Sequence, residues 1–453
     1  MKKSRVLLWL RRDLRLGDHA LLAQAESEGF ECVLAFVFDE KILKTLDKTD
    51  RRVSFFHAAL KELDQELQKK GSCLVTRHGD PVKEIPLLAE ALGCRAVLAS
   101  RDYEAYAKER DAKVAKALGP LPLRLLKDQV IFEGAEILTG GGTPYKVFTA
   151  YKNEWLKQLG RGHHDQRGTR LPALAPKEEL KKFVHPRQLS DIGFVQTDSW
   201  LAPGEQAAKA RLLAFSEKIK NYKNARDIPS VEGTSGLSPH LRFGTISVRA
   251  CVREALRHKN EGAQTWLAEL IWRDFYHMVL DQFPHVGKGE AFRLEFNNLK
   301  WPGKEEHFLA WTKGETGFPL VDAAMRHFNA TGWMHNRLRM VVASFLTKDL
   351  LVDWRKGEAY FAKLLLDFDF AANNGGWQWS ASTGCDSQPY FRVFNPYSQS
   401  ERFDPEGTFI RQNIPELAHL SPKEIHKPGK VKGYPEPIVD HAVQRVKAIA
   451  LFK

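Results

Sequence analysis

RVLLWLRRDLRLGDHALLAQAESEGFECVLAFVF, residues 5–38, begins and ends in short apolar runs with a helical pattern between them. Arg5–Leu10 and Cys32–Phe38 have the length and composition of buried strands, whereas Ala20–Glu28 spaces its apolar residues as a helix does. The same alternation continues outward. Cys73–Arg77, Ala96–Ser100 and Leu121–Leu126 read as strands; Arg51–Lys70, Val82–Leu92 and Glu104–Leu118 read as helices. Five strands separated by four helices pair in parallel through crossovers, which predicts an α/β fold with a doubly wound five-stranded parallel sheet. Such sheets bind ligands at the carboxyl ends of their strands. No G-x-G-x-x-G follows the first strand, so the dinucleotide fingerprint is absent.

The rhythm breaks between about residues 131 and 200. Gly140-Gly141-Gly142, Pro172, Pro176 and Pro186 interrupt it, charges cluster at Lys177–Lys182, and one helix is predicted near Phe148–Gln158. The glycine triplet lacks the Lys-Ser/Thr ending of a phosphate loop and reads as a plain loop. Beyond Trp200, windows 205–220, 246–257, 263–281, 319–330, 333–350 and 357–366 carry helical apolar spacing. The expected organisation is an α/β domain over 1–130, a connector over 131–200 and a mostly helical domain over 201–453.

Composition narrows the function. The 453 residues are 43% hydrophobic and 27% charged, with 68 Lys and Arg against 56 Asp and Glu, a net charge of +12. That excess suits a polyanionic partner. No apolar run is long enough to span a membrane. The N-terminal MKKSRVLLWLRR has signal-peptide charge, but its apolar stretch Val6–Leu10 ends too soon at Arg11 and Arg12. The five cysteines are scattered and form no C-x-x-C pair, so neither a disulfide frame nor a zinc site is expected, and a cytoplasmic compartment is.

Chemistry-bearing residues gather in the helical half. Glu269, Trp272, Arg273 and Tyr276 fall at i, i+3, i+4 and i+7 and share one helix face. An incidental surface pair with a tryptophan beside it would give the same spacing. In TGWMHNRLRMVVASFLTK, residues 331–348, Asn336 and Met340 are i,i+4 neighbours, flanked by Arg337 and Arg339. They could offer an amide and a soft thioether to one flat ligand, or Met340 could simply fill the core. In LDFDFAANNGGWQWSASTGCDSQPY, residues 366–390, Asp367 and Asp369 precede Asn373-Asn374-Gly375-Gly376 and then Trp377-Gln378-Trp379. No third ligand accompanies the two carboxylates, so they read as hydrogen-bonding groups and no metal site is expected. Asn-Asn-Gly-Gly predicts a sharp turn. VEGTSGLS, residues 231–238, is rich in hydroxyls and glycine and could cradle a pyrophosphate.

In this order the segments resemble the cryptochrome/photolyase family. The stretches that carry the resemblance are W-x-R-R-D-L-R-L-x-D (Trp9, Arg11, Arg12, Asp13, Arg15, Asp18), EGTSGLSPHLRFG, ELIWRDFY, TGFPLVDAAMR, TGWMHNRLRM, LLDFDFAANNGGWQW and YFRVFNP. They cover the chain from Val6 to about Lys447, and are most similar to bacterial class I members that repair cyclobutane pyrimidine dimers.

The resemblance implies FAD in the helical domain, with its pyrophosphate against Thr234, Ser235, Gly236, Leu237 and Ser238 and with Tyr222 nearby. It assigns Trp266, Arg273, Arg339, Asp367 and Asp369 to the cofactor and Asn373 to flavin N5, where a neutral amide avoids the electrostatic influence of a carboxylate on protonation. It assigns Glu269, Trp272, Asn336, Met340 and Trp379 to a flipped dimer, and Arg226, Arg337, Arg392 and Gln399 to the DNA. Trp377, Trp354 and Trp301 match an electron-transfer chain running outward from the flavin. Glu269, Asn336 and Asn373 carry the catalytic roles. For a second antenna chromophore, Tyr106 and Ala107 stand where folate-binding members carry Asn-Glu. Asp102 and Glu104, with Arg51, favour a deazaflavin or flavin over methenyltetrahydrofolate. The expected activity is light-driven repair of cyclobutane pyrimidine dimers in UV-damaged DNA by a cytoplasmic monomer with no membrane partner. A cryptochrome that senses blue light without repair is the alternative. A single-strand-restricted member would alter Met340 and Trp379, and a nucleotidyl-transfer enzyme would need phosphate motifs that the chain lacks.

Overall fold

A computed structural model describes residues 4–168 and 170–453. The Lys2-Lys3 charge weighed in reading the N-terminus lies outside the described residues. Packing gathers the chain into two units that interleave along the sequence. The first comprises Met1–Leu138, Lys152–Lys220 and Ser235–Asp281; the second comprises Thr139–Tyr151, Asn221–Thr234 and Gln282–Lys453.

The first unit is built on the expected sheet. β1 (Arg5–Leu10), β2 (Glu31–Asp39), β3 (Val75–Gly79), β4 (Cys94–Ser100) and β5 (Leu123–Leu126) run parallel in the order β3-β2-β1-β4-β5. A two-residue ladder, β6 (Ala173–Leu174), adds to β2 beside Glu31 and Cys32. It is too short to carry any periodicity of its own.

β1 is buried along its whole length, and its side chains alternate between two cores. Val6, Leu8 and Leu10 pack with Leu34, Phe38 and Leu98; Leu7 and Trp9 pack with Val33, Ala35, Val75 and Val97. Burial on both faces is why these strands read as continuous apolar runs. The helices Arg51–Gln68 and Pro81–Ala91 start on Asp50 and Asp80, whose carboxylates accept the amides of Arg52 and Val82 at 2.9 and 3.0 Å. Strand order reverses between β1 and β4, and the loops after them carry Arg11, Arg12 and Asp13 on one side and Asp102 on the other. The helices Glu205–Lys218, Val248–Arg257 and Glu261–Gln282 complete this unit, the last ending one residue past it.

The second unit is helical. Glu305–Lys313, Pro319–Thr331, Asn336–Ser344, Trp354–Leu364 and Phe370–Ser380 surround a core that includes Trp311, Phe328, Val341, Trp354, Phe361 and Trp377. Three local readings are corrected. The helix expected from residue 333 begins at Asn336, because the His335 ring accepts the Arg337 amide at 3.2 Å and caps it. It widens into a π turn over Phe345–Asp349. Asn373-Asn374-Gly375-Gly376 does not turn; it lies inside the helix Phe370–Ser380. Asp369 caps this helix through the Ala372 amide at 3.2 Å. Both asparagines bond to other segments, Asn373 Nδ2 to the Glu358 carbonyl at 3.1 Å and Asn374 Nδ2 to the Val286 carbonyl at 3.3 Å. Each glycine costs a helix about 1 kcal/mol; tertiary anchoring of the two asparagines that open the motif overrides that local preference.

Candidate functional site

In the first unit, the segment Ser235–Ser238 forms a tight cradle. Gly236 has φ +60°, and a side chain there would run into Arg211. The Arg211 Nε donates to the Ser235 carbonyl at 2.8 Å, and the Leu237 amide donates to the Ser235 hydroxyl at 3.4 Å. Trp266 is buried and packs on Phe215 at a centroid distance of 4.8 Å.

The helix Glu261–Gln282 bears the polar stripe expected from its spacing. Glu269, Trp272, Arg273 and Tyr276 are half-exposed, while Leu270, Ile271, Asp274 and Phe275 between them are buried. Trp272 leans on Tyr276 at 5.4 Å and meets Phe275 edge-on at 5.6 Å, so its indole is held from one side by aromatic neighbours. Arg273 donates to the Gln129 carbonyl.

The rotation of this helix is set by Asp274, which sequence reasoning passed over. Its Oδ2 accepts the amides of Ile131 and Phe132 at 3.0 and 3.2 Å and Trp155 Nε1 at 3.1 Å. Burial pushes its carboxyl up to about 6 despite these donors. With Asp274 turned inward, Trp272, about 200° away around the helix, faces outward.

In the second unit, Asn336 Nδ2 lies 3.9 Å from Met340 Sδ, the i,i+4 contact expected. Arg337 pairs with Asp227 at 2.9 Å and lies over the Phe403 ring. Arg339 donates from Nε to the Met334 carbonyl and from Nη2 to Asp367 Oδ2, both at 2.8 Å. The other Asp367 oxygen is buried without a partner among the described residues. His335 is pushed down to about 4, chiefly by burial, and so is neutral beside these arginines. Thr234 and Arg226 are half-exposed, and the Arg226 guanidinium lies over the buried Tyr222 ring.

Asn373 is buried and donates to Glu358 Oε1 at 2.7 Å as well as to its carbonyl. Burial raises the Glu358 carboxyl, with the Asn373 hydrogen bond opposing. Glu358 was not among the expected site residues; a lone glutamate in an amphipathic helix gives no sequence signal.

The three tryptophans of the expected chain share one core. Trp354 and Trp377 are buried within it, and Trp301 packs against this core half-buried. Trp354 opens its helix after the Asp353 cap, and one turn on, at Gly357, a Cβ would strike the Trp377 ring. Gly357→Ala should therefore displace Trp377 and lower unfolding free energy by about 1–3 kcal/mol, an overpacking cost measurable by denaturant titration. Trp311, fully buried, lies 6.0 Å from Trp377, a neighbour the sequence did not single out. Trp379 and Gln399 are half-exposed and Arg392 is exposed.

Residues 6–176 match the family model described as DNA photolyase, and residues 266–453 match the one described as FAD binding domain of DNA photolyase. The chain belongs to the DNA photolyase family. A deoxyribodipyrimidine photo-lyase from Synechococcus sp. is 41% identical over 470 residues, covering 99% of this chain and 96% of that protein. Among solved structures, an archaeal photolyase from Sulfolobus tokodaii, described as containing two FAD molecules, aligns with a TM-score of 0.87 and 34% identity over 99% of each chain. A cryptochrome from Synechocystis sp. aligns with a TM-score of 0.87 and 28% identity over 100% of each chain. No described helix is long and apolar enough to cross a membrane.

Residues of the second unit fit an FAD, since a buried carboxylate oxygen on Asp367 lacks a donor among the described residues. Within the first unit, Gly236 lets the Ser235–Ser238 turn lie directly against the Arg211 guanidinium. Also in the first unit, Asp102 is buried and pairs with Arg12 at 3.4 Å; Glu104 pairs with Arg12 at 3.3 Å and with Arg242 at 3.2 Å. Burial opposes the Asp102 charge, but Arg12, Arg11 and Arg242 hold its carboxyl well below the usual range. The two acidic residues expected at an antenna are thus ion-paired within the unit. Tyr106 donates to Asp39 at 2.7 Å. Arg51 opens the helix that Asp50 caps.

Proposed function

We propose that this chain is a deoxyribodipyrimidine photo-lyase, a carbon–carbon lyase that uses FAD and light to split cyclobutane pyrimidine dimers in DNA. The observation that carries this reading is the half-exposed Glu269–Trp272–Arg273–Tyr276 stripe, set among the buried Leu270, Ile271, Asp274 and Phe275, in a chain 41% identical to a curated photo-lyase. Identity to the cryptochrome of the same fold is 28%, which supports repair over signalling alone.

When bound, fully reduced FAD supplies the photoexcited electron that opens the cyclobutane ring and receives it back. The chain's own residues do the rest. In the first unit, Trp272, braced by Tyr276 and Phe275, presents a rigid apolar face to a base turned out of the stack. Glu269, three residues earlier on the same face, hydrogen-bonds the pyrimidine edge and stabilises charge that develops there. In the second unit, Asn336 gives an amide and Met340 a thioether to the dimer, and Trp379 a further apolar wall. Asp367, fixed by Arg339, would take a hydrogen bond from a bound FAD, and Asn373, whose Nδ2 is held by Glu358, would offer its remaining amide oxygen on the flavin side. Thr234–Ser238, Tyr222, Trp266, Arg273 and Asp369 complete the cofactor contacts.

Arg226, Arg337, Arg392 and Gln399 hold the DNA backbone, positioning the strand without reading its sequence. Affinity for dimer-containing DNA should fall steeply with salt, and Arg392→Ala should reduce the slope of log K against log salt by about 1. A flavin-type antenna at the carboxyl ends of the strands, with Asp102, Glu104 and Arg51 beside it, would appear as a second chromophore on acid extraction. A monomer in the cytoplasm is the corresponding assembly and location, checked by sedimentation and fractionation.

The test is direct. The protein is reduced and illuminated at blue wavelengths with a thymine-dimer oligonucleotide, with a dark control. Light-dependent loss of the dimer is the expected result; bound FAD without repair overturns it in favour of the cryptochrome reading.

A further inference from the structure

Three groups converge on one ring, Phe452, at the edge of the second unit. Trp301 meets it edge-on, with centroids 6.1 Å apart and planes at 83°. Tyr390 stacks on it at 5.9 Å with planes within 11°. The Lys348 Nζ stands 3.9 Å from its centroid. Lys348 is buried, in the π turn Phe345–Asp349, and donates to the Ser382 hydroxyl at 2.9 Å. Trp301 and Tyr390 therefore lie one phenyl ring apart, in van der Waals sequence.

Trp301 is poorly furnished to keep a positive hole. Its indole Nε1 is buried without an acceptor among the described residues. An oxidised indole there has no protein base to take its proton, so it stays a cation. Lys348 Nζ stands on the ring that Trp301 touches; burial pushes its ammonium down to about 7, and in its charged form it repels a hole on Trp301 strongly in this low-dielectric setting. A phenol is different: it loses its proton on oxidation, and the hole becomes a neutral radical. Tyr390 is half-exposed, so that proton can leave to water. Both features favour moving the hole from Trp301 outward.

Resting on the Trp377–Trp354–Trp301 reading, we infer that Tyr390 is the outermost electron donor of this chain, passing one electron through Phe452 to oxidised Trp301. In the step Trp301 regains the electron it gave inward, and Tyr390 loses one electron and its phenolic proton to water. The flavin keeps one added electron. A thiol in solution returns a hydrogen atom to the tyrosyl radical and is itself oxidised.

The experiment uses the FAD-loaded full chain, with transient absorption and electron paramagnetic resonance after freezing under light. The wild-type protein is expected to give a tyrosyl signal that grows as the tryptophan radical decays. Tyr390→Phe should lose that signal and leave a tryptophan radical that decays by recombination; Phe452→Leu should slow the appearance of the tyrosyl signal. A tyrosyl signal that persists in Tyr390→Phe, or a wild-type protein that gives only tryptophan radical, overturns the assignment. Trp301→Phe separates the two levels. If it leaves photoreduction intact, the tryptophan chain itself is wrong and Tyr390 falls with it. If it stops photoreduction while the wild type shows no tyrosyl radical, the tryptophan chain stands and only Tyr390 falls.

Discussion

Trp354→Phe is expected to abolish light-driven reduction of the bound flavin while leaving repair by chemically prereduced enzyme largely intact. Indole is the more readily oxidised ring, so phenylalanine breaks the relay without removing the aromatic packing. Trp354 is almost wholly buried in the core that also holds Trp377, and it opens the helix whose Gly357 abuts Trp377. The loss of ring volume leaves a small cavity, with a stability cost of about 1–2 kcal/mol, well short of the 3–5 that truncation to alanine brings. The protein therefore stays folded and retains its flavin, and a photoreduction time course reads the relay alone. Repair need not pass through this tryptophan, because the electron that opens the dimer is returned rather than drawn from the protein. Loss of repair in prereduced Trp354→Phe would show that the residue shapes the flavin or dimer site and would remove it from the relay.

The sequence was legible where burial is uniform and opaque where a group answers to a distant partner. Parallel strands covered on both faces must be largely apolar, so Arg5–Leu10 and the strands on either side of it, β2 and β4, declare themselves, whereas β3 and β5, at the ends of the sheet, are only partly buried and carry Arg77, His78 and Arg124. The stripe from Glu269 to Tyr276 is legible for the converse reason: polar and aromatic residues persist on one face of a helix whose opposite face is core. Asn373-Asn374-Gly375-Gly376 misleads because its local chemistry favours a turn, while the bonds that keep it helical go to Glu358 and Val286, residues remote in sequence. Asp274 and Glu358 escape notice on the same ground. Each is a single carboxylate in a helix, and only the folded chain shows that one orients the Trp272 face and the other fixes the Asn373 amide. The interleaving of the two units is likewise a property of packing, with no compositional break at residues 221, 235 or 282 to mark it.

Asp128→Asn should be the most damaging substitution outside the site. Asp128 is 2% exposed and lies between two guanidinium groups, with Arg15 Nη2 at 2.6 Å and Arg249 Nη2 at 2.7 Å. Arg249 also reaches Asp18 at 2.8 Å, and Arg253 reaches Asp18 at 2.7 Å. Two buried carboxylates thus balance three arginines drawn from the segment after β1 and from the helix Val248–Arg257. An amide in place of Asp128 keeps the shape but leaves Arg15 and Arg249 facing each other with one carboxylate among three cations. Breaking a buried pair in this way costs about 3–5 kcal/mol, a large share of the stability of a typical fold. Burial opposes the Asp128 charge, yet Arg15 and Arg249 together hold its carboxyl below the usual range. Asp18 is also lowered against its burial by Arg249. A carboxylate depressed in the folded state stabilises above its unfolded value, about 3.9, and that contribution is lost as pH falls through and below it. Wild-type unfolding free energy should consequently drop on acidification from about pH 5, whereas Asp128→Asn should start lower and fall less over the same interval. Urea titrations of the two proteins at neutral pH and at the acid end decide the matter. Equal acid slopes would mean that the Asp128 carboxylate does not carry the charge balance of this cluster.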